Sequence, residues 1–84
     1  MLKKSRDFMV ANLKDEYYLS DGTRLFKINE VGARIFSLLN GKMESEKIVG
    51  RLSKVFPDVE PEKLMSDYTS FVELLLTNEI VKDV

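Results

Sequence analysis

Between Thr23 and Gly41 the apolar positions change period. Alternating residues give way at Asn29 to the three- and four-residue spacing of a helix, and the run stops at a glycine. Upstream, DFMVANL and EYYLS read as short strands rich in aromatic and branched residues, with LKDE as a turn between them. The next turn is SDG, where Gly22 is free to take positive φ. The pattern predicts a meander of three strands over about 7–13, 16–20 and 23–28. In the third, Phe26 and Ile28 share one face, the core candidate, while Thr23, Leu25 and Lys27 share the other.

Asn29 is suited to cap a helix whose apolar positions are Val31, Ile35, Leu38 and Leu39, with Gly41 as the left-handed residue after its end. This predicts a first helix over about 30–40. The spacing repeats at Ile48, Leu52, Val55 and Phe56, giving a second helix that starts near Glu44 or Ser45 and stops before Pro57. Gly50 weakens it without breaking it. Pro61 suits the first position of a third and longest helix, which runs to about Asn78. EIVKDV then adds a short extended tail. The fold class is α+β, in a single domain over 1–84 with no repeat, linker or low-complexity segment.

The third helix carries more apolar surface than one core requires. At about 100° per residue, Leu64, Tyr68, Val72, Met65, Leu76, Leu75, Phe71 and Leu74 span an arc of roughly 200°, about twice the usual stripe. Asp67 falls within that arc. One flank is therefore left over. A three-strand meander also leaves its last strand as an edge, and here that strand feeds directly into the helices. An extended peptide added along residues 24–28 gains backbone hydrogen bonds from the edge and side-chain selection from the third helix. The blander expectation is that the surplus packs against the sheet, the tail or a second copy.

Composition removes most chemistry. At 84 residues, 44% apolar and 32% charged, the chain has the make-up of one small folded domain. It contains no cysteine and no histidine, so disulfides, thiolate nucleophiles, imidazole bases and zinc fingers are excluded. Asp15 with Glu16, or Asp58 with Glu60, are adjacent acids of the kind that polar loops keep solvated. No catalytic residue, metal site or cofactor is expected. The N-terminal MLKKSRDFMVANL lacks a signal peptide's apolar run and cleavage site, and no window is apolar enough to span a membrane, so a cytoplasmic protein without membrane contact is expected.

The segments LFKINEVGARIFSLLNGK, EKIVGRLSKVFPDV and DYTSFVELLLTNEIV resemble the pattern of the PqqD-like proteins, precursor-peptide recognition elements of ribosomally made, post-translationally modified peptides. In that family a hydrophobe-Asn pair closes the third strand, a glycine ends the first helix and an apolar ending closes the third helix. Here these are Ile28-Asn29, Gly41 and Phe71 to Val81, and the similarity runs from about Tyr17 to Val81. The resemblance implies a winged-helix-like fold that binds the leader of a precursor peptide as an added strand between the third strand and third helix. It implies no catalysis. The leader is handed to a partner enzyme such as a leader peptidase, a cyclase or a radical SAM protein. The NEVGARIF stretch looks most like stand-alone members of lasso-peptide pathways, while the founding members serve pyrroloquinoline quinone synthesis, and the resemblance leaves both open.

On these grounds the peptide-binding residues expected are Arg24, Leu25, Phe26, Lys27, Ile28, Leu64, Asp67, Tyr68, Phe71 and Leu75. Two positions depart from the family. Glu44 and Lys47 stand where a Thr-x-x-Glu capping box is usual, leaving Ser45 as the substitute cap, and Asn78 replaces a glycine before the closing apolar pair.

Two other functions compete. A winged-helix DNA-binding protein would share the element order, but the net charge is −1 and the third helix sets Lys63 against Glu62, Asp67, Glu73 and Glu79. Lys47, Arg51 and Lys54 form a basic face on the second helix, the usual signature of a solvated surface. A structural small subunit would use the apolar flank as a permanent interface. No nucleic-acid partner is expected.

Overall fold

The computed structural model describes residues 1–84. Its elements are β1 (Leu2–Lys4), β2 (Met9–Leu13), β3 (Glu16–Ser20), β4 (Leu25–Ile28), α1 (Glu30–Leu38), α2 (Ser45–Val55), α3 (Pro61–Thr77) and β5 (Val81–Asp83). The meander and the three helices are those the periodicity predicts. The N-terminal strand β1 is not. It pairs antiparallel with β5 in a separate two-stranded ribbon, Lys3 opposite Lys82. The extended tail is present, and its partner is the start of the chain.

The β2–β3 turn sets the register of the main sheet. Lys14 and Asp15 both take positive φ, 53° and 65°, which makes a two-residue primed turn whose twist matches that of the strands. Such a turn bonds the backbones of Leu13 and Glu16 to each other, and hydrogen-bonded positions then alternate along the ladder. Tyr18 and Ser20 therefore direct their backbone groups to β2, and Tyr17 and Leu19 direct theirs to β4. In β4, Ile28 and Phe26 face those partners. Leu25 and Lys27 are left with N–H and C=O groups aimed at the open edge.

At the second turn the Asp21 carboxylate accepts from the backbone N–H groups of Arg24 (2.7 Å) and Thr23 (2.9 Å), while Gly22 takes φ 94°. Asn29 caps α1 as expected, its Oδ1 accepting from Gly32 N at 2.7 Å. Two capping expectations fail. Glu44 holds the N-cap of α2 without a side-chain bond, and Ser45 Oγ instead lies 3.1 Å from the Tyr68 hydroxyl. After α3 the left-handed residue is Glu79 (φ 58°), while Asn78 stays at φ −97° and donates its side-chain amide to Leu74 O. The helix α1 ends at Leu38, two residues before the predicted limit, and Gly41 (φ 79°) serves the later turn that returns the chain to Leu2 O.

The core is continuous between the helices and one sheet face. Leu19, Ile35, Leu39, Ile48, Leu52, Leu64, Leu75 and Ile80 are fully buried, and Phe26 and Ile28 pack against them from β4. The ribbon is fastened to the segment after α1, where Lys4 N donates to Leu39 O at 2.9 Å and Gly41 N to Leu2 O at 2.9 Å. Strand β5 is thereby held away from β4, whose outer edge is left unpaired. No helix is long and apolar enough to cross a membrane.

Candidate functional site

Helix α3 is tied to the residue that precedes β4 and, beyond the strand's other end, to α1. At the start of β4, Arg24 donates through Nη1 to Asn78 O at 3.1 Å, at the last turn of α3. Its guanidinium also lies 4.9 Å from the Phe8 ring centroid, which fixes its direction. Beyond the end of β4, Gly32 of α1 meets the Phe71 ring so closely that a Cβ there would sit 3.3 Å from it. Between these ties β4 and α3 stand apart. With the open edge of β4, this arrangement makes a candidate slot that has the unpaired backbone of Leu25 and Lys27 as one wall.

The opposite wall is the flank of α3 that the arc predicts as surplus. Phe71 is half-buried, Leu74 keeps 37% of its surface exposed, and Asp67 is half-buried with Lys63 Nζ 2.6 Å from its Oδ1. The floor is Phe26 and Ile28, both half-buried on the inner face of the sheet. Leu25, 65% exposed, and Lys27 project from the outer face. Lys27 donates to Glu16 at 3.1 Å and Tyr18 donates to the same carboxylate at 2.7 Å. The Tyr18 bond, reinforced by Lys27, lowers the Glu16 pKa; Glu16 in turn raises those of Lys27 and Tyr18.

Three of the ten residues expected at the site lie elsewhere. Leu64 and Leu75 have no exposed surface, and Tyr68 has 6%, with its hydroxyl turned to Ser45 of α2. They occupy the middle of the apolar arc, which points into the core. Arg24 is brought to the slot as a strap closing one end. Leu25, Phe26, Lys27 and Ile28 form β4, and Asp67 and Phe71 lie half-buried on α3, the two elements that border the candidate slot. Leu74 was not among the expected residues, although its place on the helical wheel beside Asp67 is the signal that finds it. The far flank of α3 exposes Met65 and Leu76, so the arc overflows the core on both sides.

The slot offers backbone donors and acceptors, apolar walls and a single half-buried carboxylate. No three acidic side chains stand close enough together to hold a metal ion. A concavity of about 480 Å3 lies at the other sheet edge, between β2 and α1. The DNA-binding alternative has little to work with on α3, where the one cation, Lys63, is already paired with Asp67.

Comparison with known proteins bears on the family and the fold. The family described as coenzyme PQQ synthesis protein D (PqqD) matches residues 16–81. No curated protein matches the chain. Among solved structures, TbiB1 in complex with the TbiA(beta) leader peptide is similar at a TM-score of 0.71 and 27% identity, over 98% of this chain and 96% of that one.

Proposed function

This chain belongs to the PqqD family, and from that premise we propose that it binds the leader segment of a ribosomally made precursor peptide in the slot between β4 and α3. The observation that carries the reading is an open sheet edge beside unpacked apolar helix, in a fold that matches TbiB1 bound to a leader peptide along almost its whole length. The leader adds as a strand. Its backbone pairs with Leu25 and Lys27, and alternate side chains enter the slot against Phe26, Ile28, Phe71 and Leu74. Asp67 accepts from a hydroxyl or amide of the leader at the rim. Leu64, Tyr68 and Leu75 support the wall from behind by holding α3 at its distance.

The reading gives the protein no catalytic step. The leader is presented to a partner that modifies or cleaves the precursor, whether a leader peptidase, a cyclase or a radical SAM enzyme. A binding element has no need of reactive groups, which fits a chain without cysteine or histidine.

The test is a calorimetric titration with a synthetic leader peptide, starting from the TbiA(beta) leader. Phe71→Asp places a charge in the apolar wall and is expected to weaken binding by about 100-fold, as loss of a central apolar anchor does. A circular dichroism spectrum establishes that the variant is folded. Folded Phe71→Asp protein that binds with wild-type affinity overturns the slot. Leu13→Asp, on the far edge strand, is the matched control and is expected to bind normally.

A further inference from the structure

The sheet has a second open edge. Strand β2 pairs with β3 on one side only, and no backbone bond outside that ladder involves residues 9–13. The alternation set by the primed turn directs the N–H and C=O groups of Val10 and Asn12 outward, because Met9, Ala11 and Leu13 spend theirs on β3. Edge strands are ordinarily guarded by a charge, a proline or a bulge, and Met-Val-Ala-Asn-Leu has none.

The strand is also symmetric about its centre. Met9 and Leu13, 72% and 60% exposed, stand two residues to either side of Ala11 on the outer face of the sheet. From this we infer that β2 pairs with β2 of a second copy of the chain, antiparallel, across a two-fold axis at Ala11. In that register Val10 of one copy lies opposite Asn12 of the other, the residues whose backbone groups point outward, and each such pair exchanges both bonds. Met9 of one copy covers Leu13 of the other, at both ends. The axis passes between the two Ala11 residues, where a small side chain permits close approach.

The cavity between β2 and α1 fits the same occupant. It is lined in part by Val10, Tyr17, Ala33 and Phe36, and its rim carries Glu30 and Arg34, neither in an ion pair. Lys4 also lines the cavity but is engaged with Ser37 O and the Phe36 ring, so Glu30 and Arg34 are the charges left to meet their counterparts in an isologous contact. The inward-facing Val10 and Asn12 of the second copy close the mouth of the cavity. The dimer has one continuous sheet with β4 at each end, so both peptide slots stay open.

The chain has no cysteine, so Ala11→Cys supplies a single thiol on the axis. Cα atoms at a non-hydrogen-bonded antiparallel pair are about 4.5 Å apart, within disulfide range. Mild oxidation of the whole protein is expected to link Ala11→Cys into dimers about tenfold or more faster than Thr69→Cys on exposed α3. Sedimentation of the unmodified protein over about 10 to 500 μM is expected to show the mass rising from 9.7 kDa toward twice that value, as a small interface allows. Asn12→Pro removes an outward N–H without touching the β3 ladder, and is expected to remain monomeric throughout. Cross-linking no faster than the control, a constant monomer mass, or a dimer that survives folded Asn12→Pro each overturns the inference. A dimer that survives Asn12→Pro also assigns the contact to another surface.

Discussion

At the scale of single residues the slot is set by two contacts that composition does not reveal. Gly32 lies inside α1, where alanine is ordinarily better by about 1 kcal/mol. Here a Cβ meets the Phe71 ring and Asn29 Oδ1 at 3.3 Å, so the ring has to give way. Gly32→Ala is expected to leave stability within about 1 kcal/mol of wild type while lowering leader affinity about tenfold. Paired melting and calorimetric titration separate the two effects. At the opposite end Asp21 orders the turn before β4. Its carboxyl is held well below the usual carboxylate range, first by the Arg24 N–H and then by that of Thr23. A folded-state pKa below the unfolded one adds stability above the unfolded value, and that stability is lost as pH falls through it. The urea midpoint of wild type is therefore expected to exceed that of Asp21→Asn at neutral pH, and the difference to shrink below about pH 4. A difference that is constant between pH 7 and pH 3 contradicts this role.

Among the elements, α2 offers the cleanest check on packing. Gly50 is exposed and a Cβ there meets nothing within 4 Å, so Gly50→Ala is expected to raise stability by about 0.5 to 1 kcal/mol, read as a higher urea midpoint with unchanged leader affinity. This gain is the counterpart of Gly32, where the same substitution has a cost in function. Sequence periodicity located β2, β3, β4 and all three helices, because each has enough residues for a period to show and because Asn29, Pro57 and Pro61 mark their limits. It missed β1, whose three residues are too short for any alternation and whose partner lies at the far end of the chain. Ser45 and Asn78 misled for different reasons: Ser45 Oγ turns to the Tyr68 hydroxyl, a tertiary contact, whereas the Asn78 side chain bonds locally to the Leu74 carbonyl one turn back.

For the whole molecule, the site was half legible. The edge residues follow from strand order, and the surplus flank of α3 follows from its arc. The division of that arc between core and slot does not, since Leu64, Tyr68 and Leu75 differ from Phe71 and Leu74 only in where α1 and α2 pack around them. The arrangement of the two termini matters most. By pairing with β1, β5 leaves the outer edge of β4 free. The measurement that bears on this most directly is residue-resolved amide hydrogen exchange with and without saturating leader peptide. Phe26 and Ile28, bonded to β3, are expected to be protected in both states. Leu25 and Lys27 are expected to exchange rapidly alone and to slow by tenfold or more, on the order expected for newly formed backbone bonds, once the leader is bound. Leu25 and Lys27 exchanging at unchanged rates under saturation, with Val10 and Asn12 slowed instead, contradicts strand addition at β4.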